Sequence, residues 1–211
     1  MNKRMSWGDT VFRSAKCLVL SAAIAFGLGS TGAKADAGPL VIGIAAAVAV
    51  IGGEVTQAPQ PDASRAFLRA GLGYFDVWSR EDTAASFHVE YKPAWQIWRI
   101  KPMIGAFGTS DGAVAGYVGI GYDWHVTKNI VVNVNTAATF YNAGNGKHLG
   151  SFAVLRSGVE LGWRFEDASR LSVSFHHMSH GELFDDKNPG ADVVAITYSI
   201  PVDRLGKLFG R

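Results

Sequence analysis

From Arg65 onward, apolar and polar positions alternate with a period of two, and no long stretch repeats at helical spacing. A period of two sends successive side chains to opposite faces of a strand. The alternation divides into eight segments: Arg65–Trp78, Ala84–Tyr91, Ile97–Gly108, Ala113–Trp124, Ile130–Tyr141, Phe152–Phe165, Arg170–Ser179 and Asp192–Val202. Turn-forming stretches separate them: SRED, KPAWQ, TSDG, HVTKN, NAGNGKHLG, EDAS and HGELFDDKNPG. The segments run to roughly ten residues or more, the length a tilted strand needs to cross a bilayer, and their number is even. The expected fold class is all-β: an eight-stranded antiparallel transmembrane β-barrel over residues 64–211.

The two faces differ in kind. In the fifth segment Val131, Asn133, Asn135 and Ala137 share one face, and Val132, Val134, Thr136 and Ala138 the other. In the seventh, Leu171, Val173 and Phe175 alternate with Ser172, Ser174 and His176. In the eighth, Val194, Ile196, Tyr198 and Ile200 alternate with Val193, Ala195, Thr197 and Ser199. A soluble lipocalin-like barrel would share this period. A membrane barrel accounts better for Trp78, Trp95, Trp98, Trp124 and Trp163 near segment ends, where an aromatic girdle sits, and for the glycine and small residues on one face, which suit a narrow lumen. With the N-terminus on the periplasmic side, the long connections 142–151 and 180–191 both fall outside, as they do in such barrels.

Upstream of the barrel, the pattern changes. Basic residues from Lys3 to Lys16 precede an apolar run of about 12 residues, Cys17 to Leu28, and then the small-x-small triplet Ala33-Lys34-Ala35. This is the layout of a secretory signal, expected over residues 1–35; the run is short of the roughly 20 residues a spanning helix needs. The signal holds the only cysteine and a net charge of +4, so its removal turns the formal +2 of the chain into −2. A nucleic-acid binder is therefore not indicated. A second apolar run, Leu40 to Ile51, would extend the signal, lie as a short helix at the membrane surface, or form an unpaired strand. With the Pro- and Gln-rich stretch Glu54 to Asp62 it makes an N-terminal apolar segment and linker over residues 36–63.

Candidate chemistry concentrates in the last hairpin. His177 and Ser179 are two apart and share the Leu171–Val173–Phe175 face, the one turned to lipid. Asp192 shares the lipid-facing side of the returning strand with Val194 and Ile196. Hydroxyl, imidazole and carboxylate should thus lie outside the barrel at one height. Polar groups facing hydrocarbon are costly without a purpose, and a serine beside an imidazole oriented by a carboxylate is the arrangement that activates a nucleophile for acyl transfer. The substrate of such a site would be a lipid. The bland alternative is a set of solvated rim residues.

The stretch His177-Met178-Ser179, Asn188-Pro189-Gly190, Asp192 and Tyr198-Ser199-Ile200-Pro201 resembles the last hairpin of the lipid A 3-O-deacylases, the PagL-type outer-membrane esterases. The close match covers about residues 174–201; elsewhere only length and strand layout agree. The resemblance implies a serine hydrolase with Ser179 as nucleophile, His177 as general base and Asp192 orienting the imidazole, acting on the 3-O-linked acyl chain of lipid A in lipopolysaccharide of the outer leaflet. It implies no metal and no other cofactor. The chain departs from the pattern at His180, where the family often has Asn, so the backbone N–H groups of His180 and Gly181 are the candidate oxyanion donors. It departs again in carrying Asp192 where Glu is usual. A homodimer is compatible with the sequence.

Two other readings compete. A calcium- or transition-metal-dependent lipid deacylase or phospholipase would draw on His176, His177, His180, Glu182, Asp185 and Asp186, although His176 and His177 should point to opposite faces. A non-catalytic barrel of structural or adhesion type would need no grouping of Ser179, His177 and Asp192. An acyltransferase would need an acyl-donor pocket inside the barrel. Elsewhere His88, His125 and His148 read as rim or turn residues. Arg69, Arg99 and Lys101 lie within strand segments, where they would pair with acids such as Asp76 or Glu90 in the lumen or meet lipid phosphates at the rim.

Overall fold

The computed structural model describes residues 46, 47, 49–54, 58–80, 82–97, 99–180 and 188–208, with side chains to residue 206. The expected signal and the first half of the second apolar run lie outside the described residues. The rest is a closed antiparallel barrel of eight strands, each paired with its neighbour in sequence and the last with the first: β1 (Phe67–Phe75), β2 (Ala84–Lys92), β3 (Ile100–Thr109), β4 (Val114–His125), β5 (Ile130–Asn142), β6 (Ala153–Arg164), β7 (Arg170–Ser179) and β8 (Ala191–Pro201). The expected all-β barrel is what forms, and the strand bounds agree to within about three residues.

The two largest differences have a backbone cause. Alternation continues through Val77 and Trp78, but β1 stops at Phe75 because Asp76 takes a left-handed conformation (φ 56°). β3 starts at Ile100 because Arg99 is also left-handed (φ 72°) and Ile97 pairs back onto Ile100. Arg99 is thus a turn residue rather than a strand residue, and it reaches Glu54 and the Gly53 carbonyl.

The lumen is a packed interior. At its middle, Arg69 sits between Glu90 (2.7 Å) and Glu160, Tyr117 donates to Glu90 (3.0 Å), and Arg156 lies 4.5 Å over the Tyr117 ring. Glycine makes room for this. A Cβ on Gly105 would overlap the Tyr117 ring and one on Gly158 would overlap His176. His88 belongs to this interior: it contacts Ser86 (2.9 Å) and the Phe107 ring, and is not a rim residue. Toward the outer end the lumen turns apolar, with Phe75, Phe107, Tyr141, Leu149, Met178 and Val193 closing it. Toward the inner end Asp62, from the linker, inserts as a stopper. It pairs with Arg164 (2.8 Å), Arg170 (2.9 Å) and His125 (3.4 Å), while Lys101 donates to the Asp62 and Arg65 carbonyls. His125 is therefore an interior partner of Asp62, not a turn residue.

The outer wall is apolar. Leu72, Phe87, Ile104, Val118, Leu161, Val173 and Ile196 are exposed on it, and Trp78, Trp95 and Trp163 mark its two margins. This is the band-and-girdle pattern of an outer-membrane barrel. The described part of the second apolar run is helical from 46 to 54, save position 48. It lies on the outside of the barrel, where Ala46, Ala49 and Val50 pack on Tyr122 and Val134. Trp124 is part-covered there instead of standing in the girdle. After β8 the chain turns into a short helix, Val202–Leu208.

Candidate active site

Two neighbouring strands supply the site. In β7, Leu171, Val173 and Phe175 face out and Ser172, Ser174 and His176 face in; continuing the alternation turns His177 and Ser179 outward. In β8 the same rule turns Asp192 outward with Val194, Ile196 and Tyr198. The register sets His177 directly opposite Asp192, as Val173 is opposite Ile196. Directly opposed side chains start about 5 Å apart at Cβ, a distance that an imidazole and a carboxylate span with one hydrogen bond. The bond is present: Nδ1–H of His177 donates to Oδ1 of Asp192 at 2.9 Å. This leaves Nε2 as the basic nitrogen. Ser179 stands two residues along the same face, a rise of about 7 Å.

These three polar residues are shielded while their apolar neighbours are not. His177, Ser179 and Asp192 are 6%, 8% and 3% exposed, against 55% for Val173 and 60% for Ile196 on the same wall. Part of the cover is Gly190. It adopts φ 59°, which glycine takes without strain, and a Cβ there would sit 3.0 Å from Cε1 of His177. Asn188, part of the Asn-Pro-Gly motif, adds a contact: its side-chain oxygen accepts the backbone N–H of His180 at 3.1 Å. The expected oxyanion donor at His180 is thus engaged with Asn188, and Gly181 lies outside the described residues. On the other flank, Val77 N–H donates to the Asp192 carbonyl (3.2 Å) and Trp78 packs edge-on against Phe175 (6.4 Å).

A shallow groove of about 870 Å³ runs down the outer wall over β8, β1 and β2. Ala70 and Ala85 form its floor, Leu72, Phe87, Ile196 and Tyr198 its sides, and Val194, two residues from Asp192, lines it as well. For the metal reading, His176 points into the lumen and His177 out of it. Glu182, Asp185 and Asp186 lie outside the described residues. Among the described residues no three His, Cys, Asp or Glu side chains gather in a way that could hold an ion.

The family model for lipid A 3-O-deacylase (PagL) matches residues 65–201, the whole barrel. Among solved structures, the outer membrane enzyme PagL aligns at a TM-score of 0.51 with 14% identity, covering 64% of this chain and 99% of that one. A designed transmembrane β-barrel aligns at 0.48 and 13% identity over 68% of this chain and 98% of that one. Neisserial surface protein A aligns at 0.43 and 10% identity over 64% and 96%. Compared one by one with curated proteins, the chain matches none.

Proposed function

The chain belongs to the lipid A 3-O-deacylase (PagL) family, and on that premise we propose that it is an outer-membrane serine esterase that hydrolyses the acyl ester at position 3 of lipid A. The observation that carries this reading is the His177–Asp192 hydrogen bond, shielded on the lipid-facing wall with Ser179 two residues away. A hydrogen-bonded imidazole and carboxylate with no task would gain nothing from that position, because polar groups against hydrocarbon cost free energy.

The mechanism follows from the atoms. Nε2 of His177 takes the Ser179 hydroxyl proton as Oγ attacks the ester carbonyl carbon. Asp192 holds the ring in the tautomer that exposes Nε2 and stabilises the imidazolium that forms. The carbonyl oxygen becomes an oxyanion. Asn188, with its oxygen turned to the His180 N–H, has its amide N–H₂ left as a donor, and we assign the oxyanion contact to that group. The tetrahedral intermediate collapses, the C–O bond to the sugar breaks, and the imidazolium returns its proton to the departing hydroxyl. Water, deprotonated by the same imidazole, then cleaves the acyl-serine and releases the fatty acid. The groove over β8 and β1 gives the acyl chain an apolar bed that starts beside the triad, so the substrate reaches the site from the bilayer plane and never enters the lumen.

The test is mass spectrometry of lipid A from a Gram-negative host that expresses the chain. Loss of one 3-O-linked hydroxyacyl group is expected with the wild type. Ser179→Ala and His177→Ala should each reduce the loss by about 10³-fold or more. Unchanged lipid A beside a barrel that folds, as judged by heat-modifiable migration, rejects the esterase. Activity that survives Ser179→Ala and dies with a chelator transfers the chemistry to a metal.

A further inference from the structure

Asp192 depends on the barrel mouth for its position. Its side chain meets His177 on the β7 side, and its carbonyl receives the Val77 N–H from the residues that follow β1. That contact requires a departure from regular pairing. Phe75 opposes Val193 in register, and the left-handed Asp76 then kinks the chain so that Val77 swings back onto Asp192. Asp tolerates this conformation better than most residues with a side chain, and here its surroundings hold it there.

The surroundings here form a buried ion pair. Asp76 is 1% exposed and accepts hydrogen bonds from the Ser79 hydroxyl (2.6 Å), the Asp82 N–H (3.2 Å) and Nζ of Lys147 (2.8 Å). Lys147 comes from the β5–β6 connection, on the far side of an eight-stranded ring, and also donates to Ser79 (2.7 Å). Its carbonyl is fixed by the Tyr141 hydroxyl (2.8 Å). Nothing in the esterase chemistry uses either charge. Their joint effect is to tie the mouth across its diameter and hold the turn that carries Val77.

We infer that Asp76 and Lys147 are positioning residues for the catalytic acid: their ion pair fixes the β1 kink, the kink presents Val77 N–H to Asp192, and Asp192 is thereby kept in bonding register with His177. The inference rests on the esterase reading for its effect on rate, and on geometry alone for its effect on the imidazole.

The experiment uses the full barrel in detergent micelles. The Asp76→Asn/Lys147→Met double variant removes both charges, so neither is left buried alone, and Asn tolerates the left-handed conformation. Two readouts are taken: kcat and KM on lipid A, and the downfield Nδ1 proton of His177 in ¹⁵N-histidine-labelled protein, assigned with His177→Ala. Misplacing a catalytic group by about 1 Å costs on the order of 10²-fold, so a loss of kcat of about ten-fold or more is expected, with KM within about two-fold. The His177 resonance should broaden or move, and Lys147→Arg should recover most of both. A folded double variant with wild-type kcat and an unmoved resonance overturns the inference, as does a fall in kcat with an unmoved resonance. If the double variant does not fold, Asp76→Asn alone is read by the same two measures. If the wild type leaves lipid A intact while the resonance still moves in the variant, the esterase reading falls and the positioning role stands.

Discussion

His176 and His177 are adjacent in the chain and stand on opposite faces of β7, and each belongs to a different buried polar group. Inward, the lumen holds Arg69, Glu90, Glu160, Tyr117 and Arg156, packed in a ring of opposite charges and one cation–aromatic contact. Outward, His177, Asp192 and Ser179 form a small polar island on a wall of Val173, Phe175, Val194 and Ile196. Both groups are shielded from solvent, but only one needs an explanation beyond folding. An eight-stranded lumen is too narrow for a water channel, and charged side chains that fill it can compensate each other across the axis. A polar trio on the lipid side could have been replaced by three apolar residues and would then fit the wall better. Inside, therefore, polarity is a way of packing; outside, it is what the proposed esterase chemistry would use.

The largest expected effect comes from taking the charge off the outer group. Asp192→Asn keeps the shape and can keep a hydrogen bond to Nδ1, but it no longer holds the imidazole tautomer or stabilises the imidazolium. A fall in kcat of about 10² to 10⁴-fold is expected in a barrel of unchanged stability. The matching change inside, Glu160→Gln, leaves Arg69 paired with Glu90 and should leave kcat within about two-fold. Lipid A turnover measured for the two side by side checks this, and equal losses would erase the distinction between the groups.

Next is Arg69→Met, which reverses the readouts. It takes the shared cation from Glu90 and Glu160, leaving Glu90 only Lys92 (3.8 Å) and the Tyr117 hydroxyl, and breaking a buried pair by removing one partner costs about 3–5 kcal/mol. Urea unfolding in micelles, followed by tryptophan fluorescence, should show that loss, while the fraction still folded turns over lipid A at the normal rate. Adding Glu90→Gln and Glu160→Gln should restore most of the stability. If it does not, the lumen charges do more than offset each other.

How much of this was legible without the structure follows from which interactions are local. The eight strands and their facing were legible because alternation is a local property, and so was the approach of His177 to Asp192, since one hairpin brings them together. The role of Asp62 was not legible. Its partners Arg164 and Arg170 are about a hundred positions away, and a Pro-rich segment carries no sign that it will turn into a lumen. His88 and His125 misled for the same reason: a histidine in a narrow barrel reads as a rim residue until its lumen neighbours are known. The helical fate of residues 46, 47 and 49–54 was one of three readings left open by a short apolar run, and the choice depended on a barrel surface shaped by Tyr122 and Val134. Val77 was invisible as a partner of Asp192, because the kink at Asp76 arises from contacts with a different loop.

The Asp62 stopper offers a smaller effect, graded by pH. Burial by itself would raise its carboxyl, but hydrogen bonds from Arg164 and His125 and the charge of Arg170 outweigh this and hold it well below the ordinary carboxylate range. The folded barrel therefore binds this proton more weakly than the unfolded chain does. The stability Asp62 confers is complete above the unfolded value of about 3.9 and is lost as the pH falls below it toward the depressed folded value. Wild type should exceed Asp62→Asn in urea midpoint at pH 5, and the margin should narrow on acidification below about pH 4. A margin that ignores pH would mean the ion pairs at the inner end contribute through shape alone. The outer group should be indifferent to this stopper, so kcat at pH 7 should not distinguish the two proteins.

The smallest expected effect also has the sharpest location. Gly190 touches the outer group and nothing of the lumen network. Alanine there meets two obstacles: its φ of 59° costs a residue with a side chain about 1–2 kcal/mol, and the new methyl carbon would lie 3.0 Å from Cε1 of His177 and 3.4 Å from Nε2. The shorter of these contacts is in the range where the imidazole must yield by a few tenths of an ångström. The hydrogen bond to Asp192 should then lengthen slightly without breaking. Gly190→Ala should lower kcat several-fold, leave KM unchanged and shift the urea midpoint by an amount matching about 1 kcal/mol. Gly112, at φ 91° in the β3–β4 turn, has open space where its Cβ would go and serves as the control: Gly112→Ala carries comparable backbone strain but touches no part of the site. If both variants lose stability and only Gly190→Ala loses turnover, the penalty at the outer group comes from moving the imidazole. If both lose turnover alike, strain at the barrel mouth is enough to disturb the triad, and the boundary between packing and chemistry lies closer to the loops than the two faces of β7 suggest.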